Sequence, residues 1–395
     1  MDILNIGYLP FKHDTGKAEI IRTNFIVRGL KEKNNNITTY SYDNNYNKDV
    51  LNNQDYICNK HFYYLFKNKS NIFFFKLIFF FFINPFIIFY KLLKHSVGYD
   101  LVLIDRLPFI LTLPVLCSLA LRKKKYILQL NEFIGGTLSP HTYKEKINFF
   151  LTKCANLIML RFASGVIVIS SEHQKYYQNY TKKRCKYVII PMLIEYQDKK
   201  TEEHDVSKEI LTIGYGGTLN SSNGISLLVE AVEELFKKKI NTRLVLFGPS
   251  LPSYHKQLSE YIAKKNLRDK ILIFPEKNNT EAIKFIHDSI DILVIPKLND
   301  HRARGYIPSK LGDYLYSGKP VLVSNVGEMS SYIKDNITGY IIEPDDIFSL
   351  TSKLKYIIQN YADAKLVGKA GKKISEQFDY RQQVEKLIKT MLQLL

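Results

Sequence analysis

Short apolar runs alternate with longer amphipathic stretches along the chain, and this alternation predicts its secondary structure. Several runs are apolar at every position, as expected of strands that are covered on both faces of a sheet. The helical stretches between them are typical of parallel α/β units. The strands predicted for the first half are Ile3–Gly7, Ile37–Tyr40, Leu101–Asp105, Tyr126–Leu130, Val166–Ser170 and Tyr187–Pro191. Those predicted for the second half are Leu211–Gly216, Arg243–Gly248, Ile271–Pro275, Asp291–Pro296, Pro320–Ser324 and Tyr340–Glu343.

A polar segment without periodicity, residues 197–205, separates the two series of strands, and we interpret it as a linker. The 395 residues are enough for two hydrophobic cores. We therefore predict two doubly wound domains, residues 1–196 and residues 208–379. Folds of this kind bind ligands at the carboxyl ends of their strands, so a cleft between the two domains is the expected place for a site.

One segment, residues 72–93, is far richer in phenylalanine than the rest of the chain. It approaches the length of a membrane span, but a lysine and the Asn84-Pro85 pair interrupt it, and Lys91 and Lys94 follow. A transmembrane helix, a buried helix pair and a helix lying in the bilayer surface are all compatible with this pattern. The phenylalanine density and the flanking lysines favour the surface helix. We expect membrane association that high salt weakens and detergent abolishes.

The formal net charge of +18 favours anionic partners such as nucleic acid, acidic lipid headgroups or a phosphate-bearing substrate. No nucleic-acid-binding motif is present, so nucleic acid is not an expected partner. The four cysteines include no C-x-x-C pair, which favours free thiols in a reducing cytosol. The N-terminus lacks the basic start and apolar run of a signal peptide. We expect a cytoplasmic protein that associates peripherally with the inner face of the cell membrane.

The clearest chemistry lies in residues 308–320, where a short helix follows a buried strand and a polar loop. Pro308 suits the first helical position, because its fixed φ is helical and no donor is needed there. The amides of Ser309 and Lys310 would then be unpaired at the positive helix end, which predicts an anion site. Asp313 lies one turn further and could accept hydrogen bonds from ribose hydroxyls. A capped helix without a ligand fits the same spacing.

This segment resembles the donor-binding motif of family 4 glycosyltransferases, in its Pro-Ser-Lys variant. The motif has an acidic residue, seven residues, a second acidic residue and then Ala-x-Ala-x-Gly-Lys-Pro-Val. Asp313 falls on the second acidic residue, and residues 318–321 fall on the closing Gly-Lys-Pro-Val. We also expect Gly318 to end the helix as a C-cap. The first acidic position is Gly305, which carries no carboxylate.

Other segments match the same family in the same order. Residues 213–231 resemble the strand, loop and helix that open its second domain, and residues 378–380 precede the last helix as an aromatic-flanked turn does there. The resemblance is strong over about residues 160–395 and weaker before. It implies the GT-B fold, with two Rossmann-like doubly wound domains facing a cleft. It also implies that the C-terminal helix, about residues 380–395, crosses back to complete the first domain.

The resemblance implies a donor site built mainly from the second domain. The loop after Gly217 carries an arginine and a lysine in the family, whereas Thr218 and Asn223 stand nearest those positions here. Gly16 matches one of two glycines in the family's loop after the first strand. The side chains that could replace the missing charge are Lys297, Arg302, Arg304 and Lys310. The expected donor-binding residues are Gly16, Gly217, Thr218, Ser309, Lys310 and Asp313.

Two residues are candidates for catalysis. Lys310 would stabilise the leaving diphosphate, and Glu132 would orient or deprotonate the acceptor hydroxyl. A salt-bridged structural role fits Glu132 equally well. Family members generally need no divalent metal for donor binding, and no Asp-x-Asp motif is present. We therefore expect neither a metal nor a cofactor besides the nucleotide diphosphate sugar that serves as co-substrate.

The implied reaction is a retaining sugar transfer from a nucleotide diphosphate sugar to a hydroxyl group. A basic chain with a phenylalanine-rich segment suits a lipid-linked glycan acceptor at an anionic membrane surface. Assembly of capsule, O-antigen or a related surface polysaccharide is the expected pathway. A GT-B nucleotide-sugar epimerase and a non-catalytic GT-B partner subunit remain alternatives, because Gly305, Thr218 and Asn223 depart from the family pattern.

Overall fold

The computed structural model describes residues 1–7, 18–41, 56–57, 83–105, 107–134, 143–197, 209–277, 279–300 and 303–395. The predictions for Gly16, for residues 72–82 and for most of the linker lie outside these ranges. The chain divides into two compact units, here called the first unit and the second unit. Of the described residues, the first unit contains those in 1–7, 19–190 and 383–395, and the second unit contains Ala18 and those in 191–382.

The first unit contains a sheet of seven strands in the order β3-β2-β1-β4-β5-β6-β7. All neighbouring strands run parallel. Its strands are β1 (Asp2–Gly7), β2 (Asn36–Ser41), β3 (Tyr56–Ile57), β4 (Leu101–Ile104), β5 (Tyr126–Gln129), β6 (Gly165–Val168) and β7 (Lys186–Ile189). Its described helices are α1 (Ala18–Glu32), α2 (Asn84–His95), α3 (Phe109–Leu121), α4 (Tyr143–Phe162) and α5 (Ser171–Gln178), with a 3₁₀ turn at Ser96–Gly98.

The second unit contains a sheet of six strands, in the order β10-β9-β8-β11-β12-β13, and is also parallel throughout. Its strands are β8 (Leu211–Gly216), β9 (Thr242–Phe247), β10 (Ile271–Phe274), β11 (Ile292–Ile295), β12 (Val321–Ser324) and β13 (Tyr340–Ile342). The helices are α6 (Ile225–Lys237), α7 (Pro252–Lys264), α8 (Asn279–Ser289), α9 (Lys310–Tyr316), α10 (Ile347–Gln359) and α11 (Tyr361–Ser375), with 3₁₀ turns at Ser221–Asn223, Met329–Ser331 and Glu376–Phe378. The last helix, α12 (Tyr380–Leu392), begins in the second unit and ends in the first.

The predicted doubly wound α/β architecture is confirmed in both units. Each of the twelve predicted strands is present, with ends that differ from the predictions by at most two residues. The predicted C-terminal helix is also present as α12. Strand β3 was not predicted, because its two residues are too few to give an apolar run.

The strand order of each sheet reverses at one point. In the first unit the reversal falls between β1 and β4, and in the second unit it falls between β8 and β11. The chain leaves such a pair of strands toward opposite sides of the sheet, so their carboxyl ends border an open crevice. A ligand site in the second unit is therefore expected at the loops that follow β8 and β11.

The described part of the phenylalanine-rich segment is helix α2. Asn84 is buried and Pro85 lies in the first turn. The Asn84-Pro85 pair therefore starts a helix and does not break one. No helix within the described ranges is both long enough and apolar enough to span a membrane.

Candidate functional site

The end of β8 brings the backbone of Gly217 against the side chain of Lys310. A Cβ atom at Gly217 would lie 2.6 Å from the Lys310 Nζ atom, and the φ angle of Gly217 is +125°. A larger residue would therefore be strained and would displace the lysine. The loop after β8 and the helix after β11 meet at the reversal point of the sheet, as their positions in the strand order require.

The ammonium group of Lys310 lies over the aromatic ring of Tyr215, with Nζ 3.8 Å from the ring centroid. Tyr215 is fully buried in β8, so its ring offers a fixed face to the cation. Lys310 is half-buried, and desolvation by the surrounding protein lowers its pKa to about 7. No carboxylate among the described residues forms a salt bridge with Lys310.

Tyr314 holds helix α9 against β8. Its hydroxyl donates to the carbonyl oxygen of Gly216 (3.3 Å) and accepts from the amide of Gly216 (2.7 Å). Tyr314 is fully buried, so both hydrogen bonds are shielded from water. Because Tyr314 lies four residues after Lys310 on the same helix face, this contact also fixes the position of Lys310 beside Gly217.

Asp313 lies in the first turn of α9 and is half-buried. Desolvation raises the pKa of its carboxyl group to about 7. No described residue forms a hydrogen bond or a salt bridge with this carboxyl group, not even Lys310 three positions earlier. Keeping a carboxyl group desolvated without a charged partner lowers the stability of the fold. Ionisable groups with strongly shifted pKa values are concentrated at functional sites.

Helix α9 begins at Lys310, so the prediction that Pro308 occupies its first position was wrong by two residues. Pro308 instead starts a preceding turn, in which its carbonyl oxygen accepts from the amide of Leu311 (3.1 Å). Ser309 is exposed, has a helical backbone and makes no capping hydrogen bond with its side chain. The C-cap residue is Ser317, one position before the predicted Gly318, and Gly318 follows it with the left-handed backbone (φ +74°) typical of the glycine that terminates a helix.

The loop between β8 and α6 is held by its own side chains and by Lys297. The side-chain amide of Asn223 donates to the carbonyl oxygen of Thr218 (2.8 Å), while the Thr218 side chain is exposed. The ammonium group of Lys297 donates to the carbonyl of Ser222 (2.7 Å) and to the carboxylate of Asp300 (2.9 Å). Lys297 is only 3% exposed, so it supports the loop and does not supply a charge to a ligand.

Arg302 and Arg304 are the two arginines that could replace the missing charge. Arg304 is exposed, and Arg302 lies outside the described residues. Lys319, in the Gly-Lys-Pro-Val match, directs its ammonium group to the carbonyl oxygens of Ile286, His287 and Ile290 at the end of α8. It thereby satisfies carbonyls that a helix end leaves unpaired. Of Lys297 and Lys310, the two lysines that could replace the missing charge, Lys310 is the one whose ammonium group lies at the end of β8.

Gly305, at the first acidic position of the resembled motif, has a φ angle of +64°. This left-handed conformation favours glycine and strains most other residues. At Gly305 the chain therefore differs from the motif in two ways: the carboxylate is missing, and the backbone has a conformation that favours glycine.

Glu132 belongs to the first unit and follows β5. Its side chain is exposed, and its backbone carbonyl accepts a hydrogen bond from the hydroxyl of the fully buried Tyr177. The structure thus brings Gly217 and Lys310 together, and it places Ser309 and Asp313 on or beside the same helix. The catalytic role of Glu132 remains a prediction.

Tyr215 and Tyr314 are the residues of this site that the sequence did not reveal. They lie within the predicted strand Leu211–Gly216 and the predicted short helix, and their hydroxyl and ring contacts depend on three-dimensional placement. Among the described residues, no group of three or more His, Cys, Asp or Glu side chains is arranged to hold a metal ion.

Residues 197–374 match the protein family described as "Glycosyl transferases group 1". This match falls within the second unit, which contains the Lys310 site. Among curated proteins, the chain is similar to the lipopolysaccharide 1,2-N-acetylglucosaminetransferase of Salmonella typhimurium, with 24% identity over 154 residues, 38% of this chain and 39% of that protein. The chain spans less than half the length of the curated relatives it matches.

Solved structures resemble the whole chain. Sucrose-phosphate synthase from Thermosynechococcus elongatus matches with a TM-score of 0.72 and 14% identity, covering 100% of this chain and 99% of that one. HepE from Anabaena, in complex with UDP and glucose, matches with a TM-score of 0.70 and 14% identity over 100% of both chains. The fold is GT-B, as the sequence resemblance implied.

Proposed function

We propose that the protein is a glycosyltransferase. It transfers a sugar, with retention of configuration, from a nucleotide diphosphate sugar to a hydroxyl group of a lipid-linked glycan during surface polysaccharide biosynthesis. The observation that carries this proposal is the ammonium group of Lys310. It lies over Tyr215 and against Gly217 at the reversal point of the second unit's sheet, and residues 197–374 of that unit match the glycosyl transferases group 1 family.

The residues around Lys310 suit a nucleotide diphosphate. Its ammonium group would bind the diphosphate in surroundings that are already desolvated, where a charge-assisted contact is strong. The missing side chain of Gly217 lets the Lys310 ammonium group lie against the backbone there, and the exposed Ser309 and Thr218 could add hydroxyl donors. Asp313 would accept hydrogen bonds from ribose hydroxyls. The complex of HepE with UDP and glucose supports a nucleotide sugar as the donor class.

The proposed reaction needs no protein nucleophile. The bond between the anomeric carbon and the diphosphate breaks, and Lys310 stabilises the negative charge that leaves with the diphosphate. A bond forms between the anomeric carbon and the acceptor oxygen on the same face of the sugar. The acceptor proton passes to the departing phosphate, and Glu132 orients the acceptor hydroxyl. No metal is required in this scheme, because Lys310 and backbone amides neutralise the diphosphate.

The acceptor and the location follow from the relatives and from charge. The similarity to a lipopolysaccharide N-acetylglucosaminetransferase supports a surface polysaccharide pathway. The net charge of +18 supports work at an anionic membrane surface, where lipid-linked glycans are found. We therefore propose peripheral association with the inner face of the cell membrane and no role in nucleic-acid binding.

A panel of nucleotide diphosphate sugars with a polyprenyl-linked acceptor tests this function. Release of nucleoside diphosphate together with sugar transfer supports it, and nuclear magnetic resonance of the product reports whether the anomeric configuration is retained. Conversion of the donor without an acceptor would instead indicate an epimerase. In the transferase case, Lys310→Ala and Asp313→Ala should sharply raise the donor concentration needed for half-maximal rate.

A non-catalytic GT-B partner subunit is the second candidate. The glycine at position 305 favours it, because no carboxylate stands where the resembled motif has its first acidic residue. This candidate predicts that no nucleotide sugar binds in calorimetric titrations, at any donor concentration. Donor binding followed by transfer excludes it.

A further inference from the structure

Three helices of the first unit form a single layer on one face of its sheet. Ile88 and Leu92 of α2, Leu111 and Val115 of α3, and Met159 of α4 belong to one buried cluster with strand residues of that face. Ile127 points to the opposite face, where it lies near Leu394 at the end of the chain. Because α2, α3 and α4 share one side of the sheet, their outer sides face the same direction.

The outer side of this layer is apolar to an unusual degree. On α2, the side chains of Phe86 and Tyr90 are 75% and 66% exposed. On α3, an exposed stripe along the helix is formed by residues spaced by four positions: Phe109, Leu113, Cys117 and Leu121. The large apolar residues exposed on the three helices are Phe86, Tyr90, Phe109, Leu113, Leu121, Tyr143, Ile147, Phe150 and Phe162. So many exposed apolar side chains on neighbouring helices of one layer are typical of a surface that contacts a partner or a membrane.

The charges on the same helices are almost all positive. Helices α2 and α3 contain no acidic residue, and Glu145 is the one acidic residue of α4. Lys94 is exposed in the last turn of α2, and Lys146, Lys153 and Arg161 are exposed along α4. A shallow pocket along α2 is lined by both kinds of side chain: Phe86, Ile87, Tyr90, Lys91, Lys94 and His95.

Elsewhere in the first unit, α1 and α12 carry a different surface. Arg28 pairs with Glu32 (3.0 Å), and Lys33 at the end of α1 pairs with Glu385 of α12 (2.5 Å). Charges of both signs are interspersed there, as on an ordinary solvated surface. Interspersed aromatic and basic side chains without acidic neighbours suit anionic lipid headgroups above an acyl layer.

We propose that the outer face of α2, α3 and α4, here called the docking face, binds the surface of an anionic phospholipid bilayer. The aromatic side chains enter the boundary between headgroups and acyl chains, and the lysines contact the headgroup phosphates. This inference builds on the proposed membrane association and assigns it to a defined surface. It requires no membrane-spanning helix.

Sedimentation with vesicles tests the docking face without donor or acceptor. The full chain should bind vesicles of phosphatidylglycerol and phosphatidylcholine in equal parts, and it should bind pure phosphatidylcholine vesicles at least tenfold more weakly. The double variant Phe86→Gln/Tyr90→Gln should weaken binding to the anionic vesicles about tenfold. Both positions are exposed, so the variant retains its fold. The matched control, Phe348→Gln/Leu366→Gln, removes two equally exposed apolar residues from the second unit and should leave binding unchanged.

Charge reversal provides an independent arm. Lys94→Glu/Lys153→Glu should weaken binding to anionic vesicles by at least tenfold, since each lysine near such a surface contributes roughly a fivefold gain in affinity. The matched control is Lys256→Glu/Lys264→Glu on α7 of the second unit, which changes the net charge equally. The difference between the two variants should shrink at high salt.

The proposal is overturned if the docking-face variants and their controls lose vesicle binding equally, or if neutral and anionic vesicles bind equally well. It is also overturned if the chain dimerises without lipid and Phe86→Gln/Tyr90→Gln abolishes the dimer, because the face would then be a protein interface. Failure here leaves the transfer reaction untouched. The docking-face variants should transfer sugar to a water-soluble acceptor at the wild-type rate, and the test of Lys310 is made without membranes.

Discussion

The two sheets reverse their strand order in the same way, but they fill the reversal point differently. In the first unit, Asp105 follows β4 and accepts a hydrogen bond from Thr23 (2.9 Å). The buried Arg22 stabilises the Asp105 charge and donates to the carbonyl oxygen of Ile190 (2.5 Å). In the second unit, Lys297 after β11 is likewise paired, with Asp300 (2.9 Å), but Lys310 and Asp313 of α9 also stand at the reversal point, and no described residue forms an ion pair with either.

This difference separates topology from chemistry. A doubly wound sheet creates a crevice at its reversal point, but the side chains decide whether that crevice is part of the core or a place for a ligand. In the first unit the charges compensate one another within the fold. In the second unit the fold keeps a cation and a carboxyl group desolvated, which is favourable only when a ligand completes their contacts.

The largest expected effect lies in the first unit. Arg22→Met should lower the free energy of unfolding of that unit by about 3–5 kcal/mol, because the buried Asp105 would lose the attraction of Arg22 and the carbonyl oxygen of Ile190 would lose its charged donor. Chemical denaturation followed by circular dichroism measures this change. The control Arg28→Met removes an exposed pair and should cost no more than about 0.5 kcal/mol. Equal costs for the two variants would contradict the compensation described for Asp105.

A somewhat smaller effect is expected on donor binding in the second unit. Lys310→Met should weaken the binding of a nucleoside diphosphate by about 1.5–3 kcal/mol, or roughly 10- to 150-fold, because a charge-assisted contact is lost. Isothermal calorimetry measures the affinity. Lys256→Met, an exposed lysine of the same unit, is the control and should bind as the wild type does. Arg22→Met should likewise bind normally wherever it is folded. An unchanged affinity in Lys310→Met would place the donor elsewhere.

Lys310 and Asp313 should reduce the stability of the unliganded protein. Lys310→Met and Asp313→Asn should each raise the free energy of unfolding by about 1 kcal/mol, a value discounted for the half-exposed side chains. The pKa of Lys310 lies below its ordinary value, so its charged form is penalised. The gain from Lys310→Met should therefore be largest below pH 7 and shrink as the pH rises toward 10.5.

For Asp313 the sign is opposite. Its pKa is raised from 3.8 to about 7, so the folded protein holds a proton that the unfolded chain has released. The gain from Asp313→Asn should be largest above pH 7 and shrink as the pH falls toward 3.8. Thermal melts at several pH values check both dependences. If both variants were less stable than the wild type at every pH, Lys310 and Asp313 would be structural residues.

The strands of both sheets could be predicted from the sequence. Runs such as Ile292–Ile295 are short and apolar at every position, which favours a buried strand over other secondary structure. The sequence also located α9, Gly318 and the Lys310–Asp313 segment. It could not assign Lys297 to the support of the loop after β8, since that role depends on the carbonyl of Ser222 and on Asp300 coming within reach. The aromatic face of Tyr215 was equally hidden, because a tyrosine in a buried strand predicts only core.

Proton uptake on ligand binding tests the central claim, that Lys310 binds the diphosphate, most directly. At about pH 8, Lys310 with a pKa of about 7 is mostly neutral and Asp313 is mostly ionised. Calorimetric titration with a nucleoside diphosphate, repeated in buffers of different ionisation enthalpy, should show uptake of close to one proton. Lys310→Met should show almost none, and Asp313→Asn should still show it. Binding with the same affinity and the same proton uptake in Lys310→Met as in the wild type would contradict the claim.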